Sequence, residues 1–237
     1  MNLRALSSFP FVAAFCLISC DASKKPAVAA AAPEAVRPDV PLLPVTKGDV
    51  WIYNVHLQIP ENTTTPGAAE VDEKHLRTRT YLGKISPAEG LPEVDCFEVI
   101  VPASPVEREF VEIYDDRILM RGSMIMRPET TRPMWLEHPV PFVIAGMKAG
   151  TESPEIQAGA GLSRKTQVIA REDIIVPAAK FPAIRLLMSG TDGDLELRRT
   201  IWFSPGTGIV REEKTRYRLG KVIFRETQEL KEVRRMK

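Results

Sequence analysis

Residues Leu195 to Tyr217 read LELRRTIWFSPGTGIVREEKTRY, two arms rich in β-branched and aromatic residues joined by Ser204-Pro205-Gly206-Thr207-Gly208. Proline has no N–H to give a ladder and glycine favours the left-handed conformations of tight turns, so the arms are expected to turn back on each other as a β-hairpin. Folding about Gly206 sets Phe203 opposite Ile209, Trp202 opposite Val210 and Arg199 opposite Glu213. Each such cross-strand pair is worth roughly 0.2–1 kcal/mol, so the register is specified by side chains as well as by the turn. The hairpin commits this part of the chain to an antiparallel sheet. It carries no nucleophile, base or metal-ligand set.

The same alternation runs through most of the chain. In VWIYNVHLQI, starting at Val50, the residues Trp51, Tyr53, Val55, Leu57 and Ile59 alternate with Asn54, His56 and Gln58, the pattern of a half-buried antiparallel strand. Further strands are expected at 75–85, 94–101, 107–114, 117–126, 166–176, 181–188, 195–203, 209–218 and 222–229. Pro60 to Lys74 reads as a polar loop and Gln157 to Ser163 as a glycine-rich one. Four prolines interrupt 127–150, where Phe142 to Lys148 could form a short turn of helix. The end, LKEVRRMK, suits strand or helix. The expected fold is mainly β, an antiparallel meander forming a curved half-barrel or sandwich, with little helix outside the signal peptide.

Two stretches look alike, 45–126 and 148–233. Gly48 matches Gly150, Phe97–Val101 matches Ile184–Met188, and Phe110–Gly122 matches Thr200–Glu212, which suggests a divergent internal duplication.

The amino terminus has a basic start, Met1-Asn2-Leu3-Arg4, and a mostly apolar run from Phe9 to Ile18 that is short for a bilayer span. Together these read as a signal peptide over 1–19. Leu17-Ile18-Ser19-Cys20 resembles the bacterial lipobox. That resemblance implies cleavage before Cys20, acylation of its thiol and of the new amino terminus, and lipid anchoring of an exported domain to the bacterial cell membrane. In enteric bacteria an aspartate in the position of Asp21 goes with inner-membrane retention. Residues 20–44 then form an alanine- and proline-rich stalk, DASKKPAVAAAAPEAVRPDVPLLP after the cysteine, too poor in large apolar groups to order itself. At ~3.1 Å per residue it could reach about 70 Å from the lipid.

Residues 45–237 remain for one antiparallel β domain. Charge is nearly balanced, with 32 Lys+Arg and 31 Asp+Glu, which leaves no nucleic-acid footprint. Arg211 to Lys237 is locally basic, a solvated strand face or a contact for anionic headgroups or an acidic partner. Of three cysteines only Cys96 lies in the domain, so no intrachain disulfide can form there, and its strand-like setting suits a buried apolar filler. Gly159 to Thr166 mimics a phosphate-binding loop, but Arg164 stands where that motif needs glycine and a strand follows instead of a helix. His56, His75 and His138 lack metal-ligand spacing. Asp192-Gly193-Asp194 suits a turn better than a calcium site, and Ser123 lacks a nucleophile-elbow pattern. The sequence therefore offers no catalytic residues, no metal site and no cofactor.

Lys47-Gly48-Asp49-Val50-Trp51-Ile52-Tyr53, the turn region Ile175 to Ala183 and Thr200 to Val210 together resemble a group of exported bacterial β domains, similar in turn to the half-barrel of lipoprotein carriers and mycobacterial lipid carriers. The resemblance implies a concave sheet face that holds an acyl chain or other apolar ligand. The residues expected to line it are Trp51, Tyr53, Trp202, Phe203 and Ile209. The competing expectation is a structural or protein-interaction module of the cell envelope, with that face filled by the domain's own side chains and an outer surface or edge strand binding an envelope protein.

Overall fold

The computed structural model describes residues 41–61, 69–127, 132–159 and 162–237. The signal peptide, Cys20 and the stalk up to residue 40 lie outside the described residues, as does part of the loop after β1.

Twelve strands follow one another as β1 (Val50–Ile59), β2 (Val71–Ile85), β3 (Val94–Ile100), β4 (Glu107–Ile113), β5 (Arg117–Ile125) and β6 (Met134–Ile144), then β7 (Ile156–Gly159), β8 (Leu162–Val176), β9 (Ala179–Asp192), β10 (Leu195–Ser204), β11 (Gly208–Arg218) and β12 (Lys221–Arg234). They form one antiparallel sheet in the order β6-β5-β4-β3-β2-β1-β12-β11-β10-β9-β8-β7. The first strand pairs with the last, so the two ends of the meander lie in mid-sheet. The sheet curls into a nearly closed barrel. Across the seam the Thr166 hydroxyl donates to the Pro141 carbonyl at 2.7 Å, and Arg171 donates to the carbonyls of Ala145 (2.8 Å) and Met147 (3.3 Å).

Alternation decides what faces inward. Trp51, Tyr53 and Val55 of β1 are buried in the main core with Phe97, Ile184, Leu186, Ile201 and Phe203. Cys96, next to Phe97, points to the other side of β3. There it is buried with Val94, Phe110 and Met124 in a small satellite cluster packed against Leu82 and Trp135.

Several sequence expectations need correction. Phe142 to Lys148 forms no helix: Phe142 to Ile144 complete β6, a strand that bears Pro139 and Pro141 at the end of the sheet, where fewer ladder donors are needed. The glycine-rich loop 157–163 is largely the β7–β8 hairpin. The carboxy terminus, which suited strand or helix, continues as strand to Arg234, where β12 runs past the end of its β11 ladder and pairs with β1 alone. Leu42 and Leu43, assigned to the stalk, are buried at 1% and 5% exposure. The Leu42 carbonyl accepts from Gly206 N at 2.9 Å, so the folded domain begins before Val45.

In the 195–217 hairpin Phe203 does face Ile209, but a bulge absorbs Val210 and sets Trp202 opposite Arg211 and Arg199 opposite Lys214. One extra residue exchanges the two faces of everything beyond it. Glu212 and Lys214 are thereby turned inward, while Glu213 pairs outside with Arg211 at 2.6 Å.

The two six-strand runs share their irregularities. The turn Thr46–Asp49 closes by Asp49 N to Thr46 O (2.9 Å), and the turn Lys148–Thr151 by Thr151 N to Lys148 O (3.0 Å), each with a positive-φ glycine at Gly48 or Gly150. Gly48 and Asp49 bracket Tyr81 with two backbone bonds, as Gly150 and Thr151 bracket Val168. Bulges follow at Tyr81/Gly83 and at Val168/Ala170, and again at Phe110/Val111 and Trp202/Phe203.

Candidate functional site: the barrel interior

The interior is divided along the barrel. Near the turn that holds Leu42 it is apolar and largely filled. Trp51 is fully buried, its indole N–H donates to Thr207 O at 2.7 Å, and its ring meets Phe97 edge-on at 5.7 Å. The Tyr53 hydroxyl donates to Ile209 O at 3.1 Å, and burial pushes its ionisation up to about 12, so it stays neutral.

Beyond this layer lies a band of charge. Arg77, Arg79, Arg199 and Lys214 face Glu107, Glu109, Glu212 and Glu226. Arg77 grips both Glu226 oxygens at 2.6 and 2.8 Å and donates to Gln228 at 2.7 Å. Lys214 reaches Glu226 at 3.1 Å, Gln228 donates to Glu212 at 2.5 Å, and Arg199 is bonded to Glu212. Arg79 pairs with Glu109 at 2.8 Å and lies over the Phe97 ring, 3.5 Å from its centre.

Burial inside the nearly closed barrel penalises each of these charges, and pairing offsets the penalty. The balance differs from group to group. Burial alone would raise Glu226, but Lys214 and Arg77 beside it hold it down to about 2. Desolvation lowers Arg199 to about 10 and depresses Lys214. Glu107 is raised, by burial first and then by the neighbouring Glu109. Among the described residues Glu107 forms no ion pair.

Between the apolar layer and the charged band is a cavity of about 220 Å³. Its apolar wall includes Val111, Ile118, Val140, Phe142 and Phe203, and its charged wall Arg79, Arg164, Arg199, Lys214, Glu107 and Glu109. Glu107 also borders a more open recess of about 430 Å³ with His75, Arg77 and Phe224.

Of the five residues expected to line a ligand site, Phe203 and Ile209 border the cavity. Trp51 and Tyr53 point inward, but they fill the core and spend their polar atoms on main-chain carbonyls. Trp202 does not reach the cavity. It follows the opposite side of β10 from Phe203, its indole donates to Glu172 at 2.8 Å, and Arg211 lies over its ring at 5.2 Å. Sequence reasoning missed the charged band altogether. A signal was present: Arg77 and Arg79 share the parity of Tyr81 on β2 and stand opposite Tyr53 and Trp51 on β1.

The remaining candidates stay apart. His56 pairs with Asp72 at the surface (2.6 Å), His75 lies on the neighbouring strand and His138 on β6. Among the described residues no three His, Cys, Asp or Glu groups are placed to hold a metal ion. Asp192-Gly193-Asp194 forms the β9–β10 turn, with Asp194 paired to Arg218 at 2.9 Å. Ser123 borders the cavity.

No family model matches the chain, and no curated protein matches its sequence. Two solved structures resemble it. One, from Bacteroides fragilis, is provisionally named an exported protein with YmcC-like fold. It shares 13% identity over 83% of this chain and all of that one, with a TM-score of 0.49. The other, from Parabacteroides distasonis, is provisionally named a lipoprotein. It shares 13% identity over 82% of this chain and 99% of that one, with a TM-score of 0.44.

Proposed function

We propose that this chain is an exported lipoprotein, anchored to the cell membrane through acylated Cys20, whose β domain binds an apolar or lipid ligand inside the barrel and carries out no reaction on it. The observation that carries the binding reading is the cavity of about 220 Å³ between the Phe203 layer and the charged band. Ligand sites are concave, mostly apolar and bordered by a few placed polar groups, and this cavity has that composition. The pairing of Arg79, Arg199 and Lys214 with carboxylates supports a static polar lining over a reactive one. The repeated turns and bulges support reading the barrel as two copies of one six-strand unit.

A second reading has its own observation. Small-molecule sites usually measure at least about 300 Å³, and much of the interior here is occupied by Trp51, Tyr53 and Phe97. A filled barrel would make the domain a structural or interaction module of the envelope.

Native mass spectrometry of the full chain purified from the bacterial envelope separates the two. Reproducible extra mass that extracts into organic solvent, beyond the acyl groups on Cys20, supports ligand binding. A clean mass that persists after lipid is offered sinks it and favours the interaction module.

A further inference from the structure

Around the cavity, two charged groups have no ion-pair partner among the described residues, the carboxylate of Glu107 and the guanidinium of Arg164. Four cations border the cavity, Arg79, Arg164, Arg199 and Lys214, against two carboxylates, Glu107 and Glu109. Arg79 is matched by Glu109, while Arg199 and Lys214 are matched by Glu212 and Glu226 behind the wall. Arg164 is different. Its guanidinium donates to the main-chain carbonyls of Ser163 at 2.6 Å and Thr191 at 2.9 Å, and among the described residues it forms no ion pair. Two neutral acceptors orient the group, the Asp192 carboxylate attracts it from beyond ion-pair distance, and a guanidinium has five donors, not all of them used by these partners. The side chain is held at the cavity wall with donors left over.

The apolar wall lies directly against these cations. Arg199 sits over the Phe142 ring at 5.3 Å, and Phe142 continues the wall toward Val140 and Phe203. A wholly apolar ligand would leave the charged wall facing hydrocarbon, and a bare anion would leave the apolar wall unused.

Building on the ligand-binding reading above, we infer that the barrel interior takes an amphiphile with an anionic end, a carboxylate or a phosphate ester. The anion meets Arg164, with Arg199 and Lys214 behind it, and the hydrocarbon lies along Val111, Ile118, Val140 and Phe142. Guanidinium groups bind both anions through paired donors, so the two head groups share one chemistry.

The test uses the full chain carrying Cys20→Ser, so that no acyl anchor is added. It is titrated calorimetrically, below micelle concentrations, with decanoate, decyl phosphate, decanol, decylamine and inorganic phosphate. The expected result is that decanoate, decyl phosphate or both bind about tenfold or more tightly than decanol, and that Arg164→Gln removes this preference by weakening the anions more than decanol. The stronger of the two anions identifies the head group. Equal binding of decanol and the anions, or a preference unaffected by Arg164→Gln, overturns the anionic end and leaves the apolar reading standing. Tighter binding of decylamine also overturns it. Inorganic phosphate binding as tightly as decyl phosphate assigns the cations to a free anion and overturns the amphiphile. No binding by any of the five overturns both readings. Thermal unfolding of Arg164→Gln, followed alongside, shows whether the variant retains the fold, and Arg164→Lys, which keeps the charge but not the paired donors, is expected to restore part of the preference.

Discussion

Trp51 donates its indole N–H to the carbonyl of Thr207 at 2.7 Å, joining the first strand to the turn of the β10–β11 hairpin across 156 residues. The turn whose proline and glycines define that hairpin is thus fixed from a distant strand. Trp51→Phe keeps most of the ring area but leaves a half-buried carbonyl without its donor, a loss of about 1–3 kcal/mol. Urea unfolding should show a lower midpoint with an unchanged slope.

Leu42 and Leu43 pack against the core that contains Trp51 and Phe203. Leu42→Ala and Leu43→Ala are each expected to cost about 2–5 kcal/mol, the range for buried leucines. A protein starting at Val45 should lose more than either. Comparing its denaturation midpoint with that of a protein starting at Asp21 checks this directly, and equal midpoints would show that the leucines contribute nothing.

Glu226 and Glu107 predict opposite responses to acid. The folded state holds Glu226 at about 2, below its ordinary value. Its contribution is therefore complete above the unfolded carboxylate range near 4.5 and is lost as the pH falls toward 2, on the order of 3 kcal/mol in all. Glu226→Gln should flatten the acid limb of a stability-versus-pH curve. It should also lower stability at neutral pH, because Arg77 and Lys214 stay buried with a partner lost.

Glu107 is raised instead, so its ionised form weighs against folding above its folded-state value. Glu107→Gln is expected to raise the neutral-pH denaturation midpoint. A fall would mean that its carboxylate is held by an attraction stronger than the desolvation penalty.

Gly190 lies in β9 where a Cβ would overlap the main-chain carbonyl of Ser163 on β8. A backbone atom in a ladder cannot swing aside as a side chain can. Gly190→Ala should therefore destabilise by more than about 2 kcal/mol, although alanine is ordinarily the better strand residue. Thermal unfolding of the single variant measures it.

Alternation made the strands legible. Ten of the twelve were expected to within about five residues at either end, because patterns such as Trp51, Tyr53 and Val55 against Asn54 leave little choice of face, while β6, β7 and the start of β2 were read as irregular. What could not be read was register beyond the bulges. A bulge is a property of two strands at once, and nothing within IWFSPGTGIVRE announces that Val210 is the residue to be absorbed. Missing it placed Glu213 beside Arg199 and sent Glu212 and Lys214 to the solvent, and with them went the charged half of the cavity. Pro139 and Pro141 hid the strand through Phe142 by the same logic, since tolerance for proline depends on where in the sheet a strand lies. Leu42 and Leu43 were hidden by their neighbours, a run of alanines and prolines whose composition is that of a spacer.

Pairing of the first strand with the last brings the two ends of the described chain to one rim, where Arg235 donates to the Pro44 carbonyl at 2.9 Å and Met236 N bonds to Asp49 at 2.7 Å. The order of strands around the wall does not depend on where the chain is cut. A circular permutant that joins Lys237 to Pro41 through a short linker and opens at Gly220 would keep every neighbour in place, while an anchor attached at the new terminus would suspend the barrel from the opposite rim.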